Sequence, residues 1–157
     1  MKNDRGFSLV ELIIVIAIMA VLVGVVGTQV IPYMESSKQA KDIQILSSYA
    51  TAGVMAYASH PDVAPASGTM TITIVSNGTD DTFTCDDTNA QKIADELNNL
   101  IGRDAVTEAA SLFQSKMFRP TVKIEVVYDF SNRTIKVLAI DGSNVTINAN
   151  DNIYGRL

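Results

Sequence analysis

Residues 7–27 read FSLVELIIVIAIMAVLVGVVG, and the six residues before them read MKNDRG. From Leu12 to Val26 no side chain is charged or strongly polar, and within Phe7 to Gly27 only Ser8 and Glu11 interrupt the apolar run. A helix of that length spans roughly 30 Å, the thickness of the hydrocarbon layer of a bilayer. Lys2 and Arg5 precede the run and most of the chain follows it, so the positive-inside rule puts the leader in the cytoplasm and the body outside. An ordinary secretory signal has a shorter apolar region followed by a small-residue cleavage site; Gly24 to Thr28 offers such a site, but the run is too long. A plain membrane anchor explains the length and leaves Glu11 unexplained. A carboxylate costs about 2.5–3.5 kcal/mol at the bilayer centre and less near the interface. Glu11 therefore either stays hydrated at headgroup depth or has a partner.

The segment Gly6-Phe7-Ser8-Leu9-Val10-Glu11-Leu12 resembles the prepilin cleavage motif of type IV pilins and of the pseudopilins of type II secretion. The resemblance implies a dedicated aspartic prepilin peptidase at the inner membrane face that cuts between Gly6 and Phe7 and methylates the new amino group of Phe7. Glu11 then becomes the fifth residue of the mature chain, where the family carries a glutamate. The resemblance is confined to the N-terminal segment. It implies assembly into a homo-oligomeric helical filament by inner-membrane machinery, with the precursor in the cytoplasmic membrane and the product at the cell surface. The charges agree: a cationic amine on Phe7 and an anionic Glu11 of an adjacent subunit lower each other's burial cost. Gly24 and Gly27 weaken the helix locally, which fits either melting on leaving the bilayer or a close helix contact. Pro32 removes a helical hydrogen bond. It stands slightly later than the proline pilins commonly carry. The expected organisation is a leader over 1–6, an apolar assembly helix over 7–32 and a globular domain over 33–157.

Beyond Pro32 the pattern is that of a soluble fold. Ile43, Leu46, Ala50, Val54 and Tyr57 recur at helical spacing, with Lys38, Lys41 and Asp42 outside the stripe, so the first helix continues as an amphipathic half ended by His60-Pro61. Thr69 to Val75 and Thr82 to Cys85 flank Asn77-Gly78, a hairpin signal. Thr88 and Gln91 form a capping-box pattern before Ile93, Ala94, Leu97 and Ile101. Val106, Ala109, Ala110, Phe113 and Met117 predict another helix from Asp104 to Lys116. Val122 to Phe130 alternates with period two, and Ile135 to Ile140 and Val145 to Ile147 complete a predicted three-stranded meander. The fold class is α+β: a long N-terminal helix, transmembrane then amphipathic, packed on a C-terminal antiparallel sheet, as in type IV pilins.

The remaining residues argue against other chemistry. The net charge of -5, without a basic cluster beyond the leader, gives no nucleic-acid surface. Cys85 is the single cysteine, so no intrachain disulfide closes, a departure from many pilins. His60 is the single histidine and reads as a loop residue. Asp80, Asp81, Asp86 and Asp87 supply oxygens of the kind calcium takes, as in some pseudopilins, but their spacing fits no dedicated loop and a solvated acidic turn is the plainer reading. Three glycosylation-type tripeptides, at Asn77, Asn132 and Asn144, fall largely in turns the fold requires. No phosphate loop, nucleophile elbow or paired metal-ligand motif is present, so no enzyme, cofactor or metal site is expected. The expected function is that of a pilus filament subunit. The alternatives are a pseudopilin of a secretion or DNA-uptake apparatus and a membrane-anchored binding module.

Overall fold

The computed structural model describes residues 7–76, 81–101, 113–147 and 153–157. The chain divides into two compact units, the first ending at Ser37 and the second comprising Lys38–Leu157.

In the first unit Ser8 is the N-cap, with extended backbone at φ -70 and ψ 141, and helix α1 runs Leu9–Val25 without a buried residue. Valine and isoleucine are indifferent helix formers. In lipid, however, a spanning segment satisfies its own backbone polar groups only as a helix or a closed barrel. A π-helical turn, Val26–Val30, follows, and helix α2 runs Ile31–Ser59, its first turns belonging to this unit. The widening has a local cause. Pro32 has no N–H, and its ring crowds the carbonyl four residues back, that of Thr28. The Thr28 hydroxyl donates to the carbonyls of Gly24 and Val25 at 3.1 and 3.3 Å. The glycine-containing stretch thus stays helical in the isolated subunit.

Among the described residues of the second unit, five antiparallel strands form one sheet in the order β2-β1-β3-β4-β5, with β1 at Thr69–Ser76, β2 at Asp81–Cys85, β3 at Thr121–Asp129, β4 at Thr134–Asp141 and β5 at Tyr154–Arg156. The register sets Ile72 beside Val126 and Val126 beside Val137, so alternate residues of each strand point into one face. That face buries Met70, Ile72, Ile74, Ile124, Tyr128, Ile135 and Ala139 with Leu46, Tyr49, Ala50 and Ala56 of α2. Helix α3, Gln91–Ile101, adds Ile93, Ala94 and Leu97. Contact between α2 and the sheet is close because residue 53 is glycine. A Cβ there would collide with Ile135 Cδ1 and lie 3.1 Å from the Tyr128 hydroxyl, which donates to the Gly53 carbonyl at 3.0 Å.

Several expectations are corrected. The buried stripe of α2 is Asp42, Leu46, Tyr49, Ala50, Gly53 and Ala56, while Ile43, Val54 and Tyr57 are only partly buried. Asp42 was expected outside the stripe and is fully buried: its carboxylate accepts the amides of Gln114 and Ser115 at 3.1 and 2.9 Å and the Ser115 hydroxyl. Helix α3 begins at Gln91 after a 3-10 turn, Thr88–Ala90. The Gln91 amide reaches β2, accepting from Cys85 N–H and donating to the Phe83 carbonyl, both at 3.1 Å. Of the helix expected from Asp104 to Lys116, residues 104–112 lie outside the described residues. Phe113 to Lys116 is not helical. There the Asp42 anchor holds a turn in which Phe113 and Phe118 stack at 5.7 Å. Val145 to Ile147 makes a single bridge, Ile140 with Thr146, because Asp141 Oδ1 accepts the amides of Ser143 and Val145, both at 2.9 Å, and curls the chain. The strand beside β4 is β5, which no period-two pattern announces.

Two consequences are measurable on a soluble fragment beginning at Lys38. Asp42→Ala leaves three donors without their buried acceptor, so urea denaturation should show a loss of about 2–4 kcal/mol. Asp42→Asn, which keeps one acceptor oxygen, should lose less. Burial raises the pKa of the Tyr128 hydroxyl. The folded state therefore holds a proton that the unfolded chain releases near its ordinary value of about 10. This contribution to stability is whole below that pH and is lost as the pH climbs toward the folded value. Thermal melts above about pH 10 should show an alkaline fall in Tm that Tyr128→Phe diminishes.

Candidate processing and assembly site

The residues expected to carry function lie at the start of α1. Gly6 is outside the described residues. Phe7 has no helical assignment and is 89 % exposed. Ser8 and Glu11 are brought together. The Ser8 N–H donates to Glu11 Oε2 at 2.9 Å, the Val10 N–H donates to Ser8 Oγ at 3.4 Å, and the Leu12 N–H makes the first intrahelical bond, to the Ser8 carbonyl at 3.2 Å. This is a capping box. A helix N-terminus leaves its first amides without intrahelical acceptors, and two short polar side chains three residues apart supply them.

The arrangement changes the account of Glu11. In the isolated subunit its carboxylate accepts a backbone amide and lies in the first turn, where the positive end of the helix dipole favours an anion by roughly 0.3–1 kcal/mol. The cost of placing it near lipid is correspondingly reduced. Ser8 is the residue that sequence reasoning passed over. Its signal was present, since S-x-x-E before an apolar run is the capping-box pattern itself.

Beyond Glu11 the face of α1 has no polarity at all. The large apolar side chains at Leu9, Val10, Leu12 to Ile16, Ile18, Met19, Val21 to Val23, Val25 and Val26 are all exposed, and the next charged residue in the chain is Glu35. The helix containing this segment is long and apolar enough to cross a membrane. So large an apolar surface has no place in water and marks an interaction with lipid or with other helices.

Asp80 lies outside the described residues and the Asp81 side chain is not described. Asp86 Oδ1 accepts the Thr71 N–H at 2.9 Å, tying the end of β2 to β1. Among the described residues no group of three His, Cys, Asp or Glu side chains is placed to hold a metal ion. Burial raises the Cys85 thiol pKa, with the neighbouring Asp86 and Asp87 carboxylates adding to the rise, which disfavours a thiolate nucleophile. His60 donates its backbone N–H to the Tyr57 carbonyl at 3.1 Å, closing the end of α2.

A sequence profile described as the prokaryotic N-terminal methylation motif matches residues 1–27. The match takes in residues 1–6, Phe7, the Ser8 and Glu11 pair and the apolar run to Gly27. No curated protein and no solved structure matches the chain. The motif is specific to the class III signal peptides of type IV pilins and pseudopilins, and an apolar N-terminal helix continued onto an antiparallel sheet is the type IV pilin-like fold. Motif and fold are those of a non-catalytic structural subunit.

Proposed function

We propose that the chain is a structural subunit of a type IV pilus filament: inserted as a membrane precursor, cut between Gly6 and Phe7 by a prepilin peptidase, methylated at Phe7 and polymerised through α1. The observation that carries this reading is the methylation motif running without a break into a helix whose apolar side chains are all exposed. A helix of this kind has two suitable environments, lipid before assembly and sister helices after it. Lipid tails are as apolar as leucine, so moving between them gains little from hydrophobicity. The direction must come from a polar term. Cleavage creates one, because the amino group of Phe7 is cationic near neutral pH and Glu11 of a neighbouring subunit is its nearest complement in a surface otherwise without charge. The globular unit remains outside, and the filament is extracellular.

Two measurements test the reading. Intact-mass analysis of protein sheared from the cell surface should give a chain that lacks residues 1–6 and carries one added methyl group. A chain that retains the leader, or one that begins near Thr28, would remove the proposal. Recovery of the mature chain only from the membrane, with no sheared filament, would favour the pseudopilin reading. The second measurement concerns Glu11. Glu11→Leu should be cut normally and yield no filaments, because the partner of the Phe7 amine is gone. Removing the carboxylate lowers the cost of insertion, and losing half of the capping box offsets part of that gain. Wild-type filament yield from this variant, at matched expression, would sink the pairing. Failure of both cleavage and assembly would move Glu11 to recognition by the peptidase.

A further inference from the structure

Within the second unit, the end of α2 and the β3–β4 turn border a cleft. Its volume of about 480 Å³ falls inside the range of roughly 300–1,000 Å³ typical of small-ligand sites. Tyr57 of α2, Pro61 and Pro65 of the loop that follows, Phe130 and Arg133 of the turn, and Leu157 line it. The walls are tied together. The Phe130 N–H donates to the Gly68 carbonyl and the Leu157 N–H to the Arg133 carbonyl, both at 3.0 Å. The Tyr57 and Phe130 rings meet with centroids 5.8 Å apart. Among the described residues no acidic side chain lines the cleft.

Arg133 stands there against the preference of its backbone. Its φ of 53 is left-handed, a conformation that glycine adopts freely and that a long side chain disfavours. A turn selected for shape alone would carry glycine at that position. The turn is held without the guanidinium, because Asp129 accepts the Asn132 N–H at 2.9 Å and its side-chain amide at 2.7 Å. No carboxylate among the described residues pairs with Arg133, and the residue is exposed. The cleft thus has a cation left over from the fold, beside two aromatic rings.

We infer that this cleft binds a uronic acid, the acidic sugar of anionic polysaccharides, with Arg133 holding the carboxylate and the Tyr57 and Phe130 rings packing against the sugar's ring carbons. A guanidinium fork matches the two oxygens of a carboxylate. Aromatic and proline surfaces suit the C–H face of a pyranose ring. The rim decides against a wholly apolar acid. Pro61 and Arg133 are exposed, so a ligand seated here keeps one side in water, where hydroxyl groups stay hydrated at no cost. The site lies in the second unit and is independent of how the N-terminal segment is processed.

The test uses the full chain in phosphatidylcholine nanodiscs, with saturation-transfer NMR reading the binding of sodium glucuronate. Wild type should bind glucuronate about tenfold more tightly than glucose, and Arg133→Gly should lose about tenfold in glucuronate affinity, as expected for one charge-assisted hydrogen-bonded contact. Glycine suits the left-handed backbone, so thermal melts of the same samples should leave the Tm of Arg133→Gly close to wild type or above it. Affinity lost with the fold retained separates a ligand-holding arginine from a structural one. Absence of glucuronate binding by wild type, equal binding of glucose, or undiminished binding by Arg133→Gly would each overturn the inference. Displacement of glucuronate by an equal concentration of inorganic phosphate would also overturn it, since any small anion would then fill the site. A large fall in the Tm of Arg133→Gly would do the same, because the side chain would then be serving the fold.

Discussion

Backbone hydrogen bonding without water is the constraint on which the N-terminal half of this protein depends. A peptide group that loses water and finds no partner costs more than any one apolar side chain in α1 returns. The segment answers at each point where a regular helix would fail. At its start, Glu11 and Ser8 take up the amides of Ser8 and Val10, which precede the first intrahelical bond. Near its proline, the helix widens and the Thr28 hydroxyl donates to carbonyls one turn back. Ser36 does the same for the Pro32 carbonyl at 3.3 Å. The side chains of Ser8, Glu11, Thr28 and Ser36 are thus bonded to the helix's own backbone. The Thr28 and Ser36 hydroxyl hydrogens make no demand on the surroundings, so the surface there can face lipid or another helix.

The second unit applies the same economy in a water-exposed fold. Asp42 reaches across from α2 to the amides of Gln114 and Ser115, where the chain has neither helix nor strand to satisfy them. Gln91 spends one side-chain amide on both the donor and the acceptor that β2 turns outward, at Cys85 and Phe83. An open sheet edge invites pairing with other chains, and this bond covers part of one. Asp129 Oδ1 accepts the Asn132 amide at 2.9 Å in the β3–β4 turn, as Asp141 does for Ser143 and Val145 after β4. Side chains that a composition table counts as surface charge are therefore partly structural. The acidic balance says less about partners than it first suggests.

What was legible in the sequence follows from which interactions are local. The apolar run, the two hairpin strands, α3 and the alternation of β3 and β4 depend on periodicity, and the structure places them where the pattern does. The phase of α2 was misjudged by one position because a buried carboxylate and a glycine carry the stripe. A pattern reader scores Asp42 as solvent and Gly53 as empty. Their burial follows from a loop 72 residues away and a strand 75 residues away, at Gln114 and Tyr128. Strand β5 was invisible for a similar reason. It is three residues long with a central glycine, and a Cβ at Gly155 would lie 2.5 Å from Ile135 Cγ2 and 3.0 Å from Val54 Cγ2. Close packing chose the residue there, and close packing has no period. At the candidate site, Phe7 and Glu11 were readable because a motif surrounds them. Ser8 was readable as a cap, but an apolar run draws the eye to its charge.

On the proposed cleavage between Gly6 and Phe7, Glu11 would stand between two partners, and the order in which they become available would give the site its direction. Before cleavage the leader occupies the Phe7 nitrogen as an amide, and the carboxylate has the Ser8 N–H within its own chain. After the proposed cleavage a neighbouring subunit would offer an ammonium. A charge-assisted bond is about twice as strong as a neutral one, and in a water-poor bundle the difference grows. On that proposal, exchange of partners would be favourable only between processed subunits, and only where the helices pack closely enough to exclude water from the pair. The Ser8 amide left behind remains at the helix start, near the interface, where solvent can replace the lost acceptor. The capping box thus lowers the cost of holding the Glu11 anion near lipid. Because its bond is to a neutral donor, it does not hold that anion so firmly that assembly must overcome it.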